Sequence, residues 1–219
     1  MKKLIVFDLD GTLIDTLDDL RVSVNYALEK YGYPLRSKEE IRKAIGNGVA
    51  ILVARSIPDG DKNPDYPEAL RIFKEHYSVH SRDLTAPYEG AIEVLRGVKE
   101  AGFLTALATN KVHAIAVELV NDLFPNCFDY ILGDTPERAN KPAPDMIEKI
   151  ISELSVTKEE TIYVGDTNVD EQTAVNSGVD YVLVSYGFRT EEEILEQCKC
   201  RTIIPTTKDL LKHLKSLNE

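Results

Sequence analysis

An aspartate pair two residues apart, Asp8 and Asp10, is followed at once by Gly11 and Thr12. Much further along come Thr109-Asn110, then Lys141, then Asp166 with Asp170 four residues on. These are the residue types that phosphoryl transfer through a carboxylate requires. An aspartate that attacks phosphorus forms an acyl phosphate and splits one difficult step into two. A second aspartate two residues away lies on the same side of an extended segment, where it could protonate the leaving oxygen and then activate water. Carboxylates and a phosphoryl group repel, so the set needs cations. A hard divalent ion, Mg²⁺ by preference, suits Asp8, Asp10 and Asp166. Lys141 would neutralise charge on phosphoryl oxygens held by Thr109 and nearby backbone N–H groups. Gly11 lets the chain turn closely beneath them. Either aspartate alone reads equally well as a helix cap. The pattern Asp-x-Asp-Gly-Thr does not, since at average residue frequencies near ~6% it arises by chance in about 3 of 1000 such chains.

These residues converge only if the strands that carry them are neighbours. Leu4 to Phe7 is a short, continuous apolar run, the pattern of a strand buried on both faces. Leu104 to Ala108, Tyr130 to Leu132, Thr161 to Val164 and Tyr181 to Val184 repeat it. Helical faces are marked by Ile92, Leu95 and Val98, by Ile147, Ile150, Ile151 and Leu154, and by Leu210, Leu211, Leu214 and Leu217. Strands alternating with helices predict an α/β fold with a doubly wound parallel sheet. Ligands of such sheets collect outside the carboxyl ends of the strands, where Asp8, Thr109 and Asp166 all fall, with Lys141 ahead of a helix starting near Pro142. Residues 15–86 break the rhythm. They offer helical patterns at Leu17 to Tyr31, Ile41 to Ile45, Val49 to Ile57 and Leu70 to Tyr77, with turn residues from Pro58 to Pro67. The expected organisation is an α/β body of residues 1–14 and 87–219 with a smaller helical domain, residues 15–86, inserted after the first strand.

The chain's 219 residues, at roughly 150 per domain, suit one domain plus a sizeable insert. With 43% hydrophobic and 29% charged residues it supports a packed core, which excludes disorder throughout. The net charge of -11 repels a polyphosphate backbone, so nucleic acid is not an expected partner. A small anion held by local positive groups remains compatible with it. The insert holds 11 basic and 12 acidic side chains and the body 15 and 25, so the acidity belongs to the body. No apolar run reaches membrane-spanning length, and acids follow the first strand too soon for a signal core. Three cysteines, Cys127, Cys198 and Cys200, suggest a reducing compartment rather than a disulfide framework. Cys198-Lys199-Cys200 lacks the second ligand cluster of a zinc site. The expectation is a soluble cytoplasmic protein, monomer or homodimer, that handles a small phosphorylated metabolite and needs neither membrane nor nucleic acid.

At these residues the chain resembles the haloacid dehalogenase superfamily of aspartate-nucleophile phosphatases over nearly its whole length. The family's four motifs are matched by Asp8 to Thr12, by Thr109-Asn110, by Lys141 in Lys-Pro-Ala-Pro and by Gly165 to Asp170. The resemblance implies that Asp8 is the nucleophile and Asp10 the general acid and base. Thr109 and the Asn110 amide would bind phosphoryl oxygens, and Lys141 would steady nucleophile and transferring group. Mg²⁺ would take Asp8, the Asp10 main-chain carbonyl and Asp166, with Asp170 holding its waters or the lysine. The family's sheet order puts the first strand between those carrying the second and fourth motifs, and its helical cap matches residues 15–86. Within the family, Asp15 to Leu20 with Asn25, Ile45-Gly46-Asn47-Gly48 with Leu52 and Arg55, and Tyr88-Glu89-Gly90 are similar to phosphoglycolate phosphatases. Gly46, Asn47, Gly48 and Arg55 are then candidate substrate contacts, beside Gly11, Thr12 and Asn110. Pyrophosphate, sugar-phosphate and nucleotide monophosphate phosphatases share parts of this pattern. No histidine precedes His76, which argues against a β-phosphoglucomutase, and Lys38 and Lys43 lack the surroundings of a phosphonoacetaldehyde hydrolase. A non-catalytic binding protein is the reading from a different class.

Single residues carry weaker expectations. Lys111 reads as a helix-start lysine and His113 as a partly buried histidine. His76 and His80 read as surface, Arg189 as a surface ion-pair partner with substrate binding as the alternative, and Arg55 pairs with a cap acid if it does not bind the substrate's distal anion. Tyr26, Tyr31, Tyr33, Tyr66 and Tyr77 suit a half-wet seam, a dimer surface or plain packing of the insert. Asn168 to Thr173 departs from the resemblance, being more polar than the helix start usual in phosphoglycolate phosphatases.

Overall fold

The computed structural model describes residues 1–46 and 48–218. The chain opens with strand β1 (Leu4–Phe7) and the short β2 (Ile14–Asp15). Four helices follow: α1 (Leu17–Glu29), α2 (Lys38–Ala44), α3 (Val49–Ser56) and α4 (Tyr66–His80). After β3 (Ala86–Pro87), helices and strands alternate as α5 (Ala91–Glu100), β4 (Leu104–Val112), α6 (His113–Leu123), β5 (Tyr130–Asp134) and α7 (Asp145–Glu153). The chain ends with β6 (Thr161–Gly165), α8 (Asn168–Ser177), β7 (Asp180–Val184), α9 (Glu191–Gln197), β8 (Ile203–Ile204) and α10 (Thr207–Ser216). Two compact units emerge: Met1–Ile14 with Pro87–Glu219, and Asp15–Ala86.

The larger unit is a six-stranded sheet of order β5-β4-β1-β6-β7-β8. Its pairs are all parallel, as the α/β reading requires. Alternation along β1 divides the core into two layers. Ile5 and Phe7 pack on one face with Val94, Leu95 and Val98 of α5, Leu119 of α6, and Leu210 and Leu214 of α10. Leu4 and Val6 pack on the other with Met146, Ile147 and Ile150 of α7, Ala174 of α8 and Tyr163 of β6. All four β1 side chains are fully buried, which at roughly 1.5–3 kcal/mol for each large apolar side chain fixes the central strand. Its register therefore sets the position of whatever follows Phe7.

Several elements differ from the sequence reading, among them the short pair β2 and β3. β4 was expected to end at Ala108; it runs to Val112, with a register shift against β5 between Ala108 and Val112. β8 adds a sixth strand of only two residues, too short to register as an apolar run. The polarity of α8 has a structural cause, since Asp170, Glu171 and Thr173 on it are buried and hydrogen-bonded.

The helical unit buries Leu20, Val24 and Leu28 of α1, Ile41 of α2, Leu52 and Val53 of α3, and Phe73 and Tyr77 of α4. Three of its tyrosines make contacts within the unit. Tyr77 stacks on Phe73 at 5.4 Å, the Tyr33 hydroxyl donates to Asp65 at 2.6 Å, and the Tyr66 hydroxyl donates to the Ala50 carbonyl at 3.1 Å. His76, expected at the surface, is half-buried. Its Nδ1 lies 3.0 Å from the Ser23 hydroxyl, and its ring packs between Tyr26 and His80. No helix among the described residues is long and apolar enough to cross a membrane.

Two adjacent acids at the start of α1 behave oppositely. Asp18 is partly exposed and pairs with Lys38 and Arg21. Asp19 is 2% exposed and accepts from the N–H groups of Leu84 and Thr85 and from the Thr85 hydroxyl. It ties α1 to the segment that leaves this unit. Exposed ion pairs contribute little, whereas breaking a buried carboxylate's bonds to several donors strands them. Urea denaturation should show Asp18→Asn changing stability by under ~0.5 kcal/mol and Asp19→Asn costing about 1–3 kcal/mol.

Candidate active site

The sheet register assembles the site. Phe7 pairs with Leu107 on β4 and with Val164 on β6, so Asp8 emerges level with Ala108 and Gly165. Its N–H donates to the Val164 carbonyl at 2.8 Å. Thr109 and Asp166 lie one residue further along their own strands, and both are buried. Asp8, 7% exposed, is thus flanked from both sides at the carboxyl edge of the sheet.

Lys141 enters this edge from the segment before α7 and is 6% exposed. Its Nζ lies 2.7 Å from Asp8 Oδ1 and 2.9 Å from Asp170 Oδ1. The Asn110 side chain fixes the lysine's backbone. Its amide donates to the Lys141 carbonyl at 3.0 Å, and its oxygen accepts the Lys141 N–H at 2.8 Å. Sequence reasoning gave Asn110 to the phosphoryl oxygens and missed this clamp. Asp170 is held through its other oxygen, which accepts from the N–H groups of Asp166 and Thr167 and from the Thr167 hydroxyl. That capping box also starts α8.

Burial and charge set the protonation of the group. Burial opposes the Lys141 ammonium, but the charges of Asp170 and Asp8 outweigh it and hold the lysine well above its usual range. Burial likewise opposes the Asp170 carboxylate, and Lys141 with the capping bonds wins, keeping it below the usual carboxylate range. For Asp8, burial reinforced by Asp170 exceeds the pull of Lys141 and moves the carboxyl up to about 7. Burial, then the charges of Asp170 and Asp8, push Asp166 well above its usual range.

This donor set fits a hard cation. Asp8, Asp166 and Asp170 each offer an oxygen within 4.8 Å of the others, and Asp166 Oδ1 is buried without a hydrogen-bond partner. An unpartnered buried carboxylate oxygen is costly, and clustered carboxylates suit a divalent ion that takes oxygen ligands. The side chain of Asp10, expected in this group, points elsewhere. Its Oδ1 lies 2.9 Å from Nζ of Lys111. Lys111 belongs to β4, not to a helix start, since the helix begins two residues later at His113. Had Thr109-Asn110-Lys111 been read as strand, alternation would have put Thr109 and Lys111 on one face.

Close backbone approach completes the edge. Gly11 has a φ of 91°, and a Cβ there would overlap the Asp166 carboxylate and the Phe188 ring. A Cβ on Gly187 would overlap the Gly11 carbonyl and Asp166. Phe188 N–H donates to Asp166 Oδ2 at 2.8 Å. Arg189, expected at the surface, is 7% exposed, and its positive charge acts on Asp166. Thr12 is fully buried and its carbonyl accepts from the Tyr186 hydroxyl at 3.1 Å. His113 is half-buried, and its Nδ1 accepts the Gly133 N–H at 3.2 Å.

The remaining candidates belong to the helical unit. Gly46 and Gly48 both have positive φ, 127° and 83°, on the approach to α3, and Asn47 lies outside the described residues. Arg55 of α3 donates through Nη1 to the Ala44 carbonyl at 2.9 Å, at the end of α2.

Comparison with known proteins agrees with this geometry. A haloacid dehalogenase-like hydrolase family model matches residues 5–184. The chain belongs to the haloacid dehalogenase-like hydrolase family. A phosphoglycolate phosphatase of Pseudomonas putida is 33% identical over 194 residues, 86% of this chain and 71% of the relative. One from Cereibacter sphaeroides is 35% identical, covering 84% of this chain and 86% of the relative. A crystal structure from Lactobacillus delbrueckii subsp. bulgaricus, provisionally named a phosphoglycolate phosphatase, matches with a TM-score of 0.92 at 30% identity, covering 98% of this chain and 99% of that one. These relatives place this hydrolase among the family's phosphatases.

The raised carboxyls have a thermodynamic consequence. Asp8 rises from 3.8 to about 7, so between those values the folded chain binds more protons than the unfolded one. Its contribution to stability is present at low pH and is lost as pH climbs toward 7. A divalent cation favours the ionised form and reverses that loss. Calorimetry should therefore show Mg²⁺ raising Tm more at pH 8 than at pH 5, and Asp166→Asn should shrink the increment at pH 8.

Proposed function

We infer that the protein is a Mg²⁺-dependent phosphomonoester hydrolase that works through an aspartyl-phosphate on Asp8, with 2-phosphoglycolate as its substrate. The observation that carries this reading is Asp8 itself. It is a carboxylate at the centre of the sheet edge, gripped by a buried lysine and facing an unpartnered carboxylate oxygen on Asp166. Asp8, Asp166 and Asp170, with the Asp10 carbonyl, form the expected Mg²⁺ site. When bound, Mg²⁺ supplies the positive charge that keeps Asp8 ionised and offsets that of the phosphoryl oxygens.

The chain's residues divide the work as follows. An Asp8 oxygen attacks phosphorus and the bond to the leaving oxygen breaks, while Asp10 gives that oxygen a proton. Asp10, now a carboxylate held beside Lys111, takes a proton from water as the water oxygen attacks phosphorus. The acyl phosphate bond breaks, inorganic phosphate leaves and Asp8 is restored. Thr109 and the Asn110 N–H orient the phosphoryl oxygens, and Lys141 keeps Asp8 in line and offsets the negative charge around it. Residues 15–86 act as the cap, joined to the body through two short segments near Ile14–Asp15 and Ala86–Pro87. The cap selects the leaving group and excludes bulk water, with Gly46, Asn47, Gly48 and Arg55 as its contacts. The names of the relatives support phosphoglycolate as that leaving group's source.

Phosphate release from 2-phosphoglycolate, pyrophosphate, β-glucose 1-phosphate, sugar phosphates and nucleotide monophosphates tests both parts. Phosphoglycolate should lead by at least about tenfold in kcat/KM, with chelator abolishing turnover and Asp8→Asn inactive. A different leading substrate would replace the specificity and keep the mechanism. Activity of Asp8→Asn equal to wild type would overturn the mechanism, and phosphate retained on the sugar would indicate a mutase.

A further inference from the structure

Tyr163 is an unexpected group at the base of this site. Its sequence position, third in the apolar run of β6, reads simply as core, and it is fully buried on the sheet face that packs against α7. Its hydroxyl nonetheless reaches the reacting edge. It lies 2.9 Å from Lys141 Nζ and 3.0 Å from Asp170 Oδ1. With the 2.9 Å between Lys141 and Asp170, these three atoms form a nearly equilateral triangle.

The proton inventory shows what the triangle does. A lysine ammonium has three N–H groups and no acceptor. Three oxygens surround Lys141 Nζ: Asp8 Oδ1, Asp170 Oδ1 and Tyr163 Oη. The phenol accepts from the lysine and donates its own proton to Asp170, with the Ala108 carbonyl at 3.5 Å as a weaker alternative. Asp170 is immobilised through its second oxygen by the α8 capping box, and the tyrosine by the packed sheet. Two of the three supports of the ammonium are therefore rigid, and the third direction is left to Asp8. With the phenol oxygen removed, one N–H would face a dry interior, and the ammonium could recover it only by turning toward another acceptor and away from its present line to Asp8.

We propose that Tyr163 is a positioning residue for the phosphatase reaction: its hydroxyl supplies the third oxygen of the Lys141 ammonium and thereby aims the lysine at Asp8. This rests on the reading of Asp8 as nucleophile. Because the ring sits beneath the sheet edge and its hydroxyl meets Lys141, Asp170 and the Ala108 carbonyl, the effect falls on the chemical step rather than on binding of the leaving group.

Tyr163→Phe isolates the hydroxyl, since it keeps the ring that lies 5.7 Å from the ammonium. Kinetics on the best substrate of the panel, normalised to folded protein by circular dichroism, should show kcat reduced about tenfold or more with KM changed less than about twofold. Tyr33→Phe is the control. It removes a hydroxyl bonded to Asp65 within the helical unit and should leave kcat unchanged. A merely structural role would lower Tm and leave kcat per folded molecule at the wild-type value, and that result would overturn the proposal. Should Tyr163→Phe fail to fold, 3-fluorotyrosine at 163 keeps the hydroxyl but weakens it as an acceptor. It should lower kcat by about two- to fivefold at constant KM, and an unchanged kcat would refute the assignment. Asp8→Asn run alongside separates the two ideas. If it is inactive while Tyr163→Phe turns over normally, the positioning role fails alone; if it is active, the nucleophile reading fails first.

Discussion

One buried ammonium sits among three buried carboxylates, and the rest of the catalytic edge is arranged around that imbalance. Lys141 touches Asp8 and Asp170 directly, while Asp166 lies beside both without a lysine of its own. A carboxylate taken from water into a protein interior costs several kcal/mol even after relaxation. Two remedies are visible in how the groups titrate. Asp170, which accepts from Lys141 through one oxygen and from the capping box through the other, is held below the usual carboxylate range, and Asp8 and Asp166 are driven toward the protonated form. The proposed reaction, which needs Asp8 as an anion, would therefore draw on imported positive charge, and the unpartnered Asp166 oxygen fits a cation there.

The surrounding backbone exists to keep these groups apart by fixed amounts. Lys141 is clamped by the Asn110 side chain, so the second and third sequence motifs are mechanically one piece. Gly11 and Gly187 allow two loops to close over Asp166 where any side chain would overlap it. Asp10 is drawn to Lys111 on the next strand, which separates its carboxylate from the three-acid cluster despite only one intervening residue. Two aspartates in one short motif thereby receive different surroundings, as the acid–base and nucleophile roles proposed for them require.

Legibility in the sequence followed the range of the interaction. Strands buried on both faces are written as apolar runs and end at their first polar residue, which made β1, β6 and the level of Asp8 and Asp166 readable. The helical insert was visible because residues 15–86 lack such runs. What the sequence concealed were side chains whose role depends on a partner far along the chain. Lys111 after a strand end resembles any helix-start lysine until β4 is seen to continue to Val112. Tyr163 in an apolar run resembles core because its hydroxyl's partners are 22 and seven residues away. Asp18 and Asp19 are identical in type and adjacent, yet one faces solvent and the other holds a backbone turn about 65 residues on.

The polarity of α8, anomalous for a helix against a buried sheet, is the clearest case of a local rule yielding to a site. Its first turn carries Asp170, which must stay put for Lys141 to be held, and the adjacent residue of the same turn adds a second tie. That residue is Glu171, 7% exposed. Its Oε1 accepts from the Tyr181 hydroxyl on β7 at 2.8 Å and from the Lys199 N–H at 2.7 Å. The helix is thus tied to the neighbouring strand and to the segment after α9. That tie also accounts for the cysteine beside Lys199. Burial and then the Glu171 charge push the Cys198 thiol up to about 12, so it is a protonated neighbour of a structural carboxylate rather than a nucleophile or a thiolate ligand. An apolar helix would pack against the sheet at least as well, but it would have nothing to fix its rotation about its own axis. Directional bonds from Asp170 and Glu171 do fix it, and the aim of Lys141 depends on that angle.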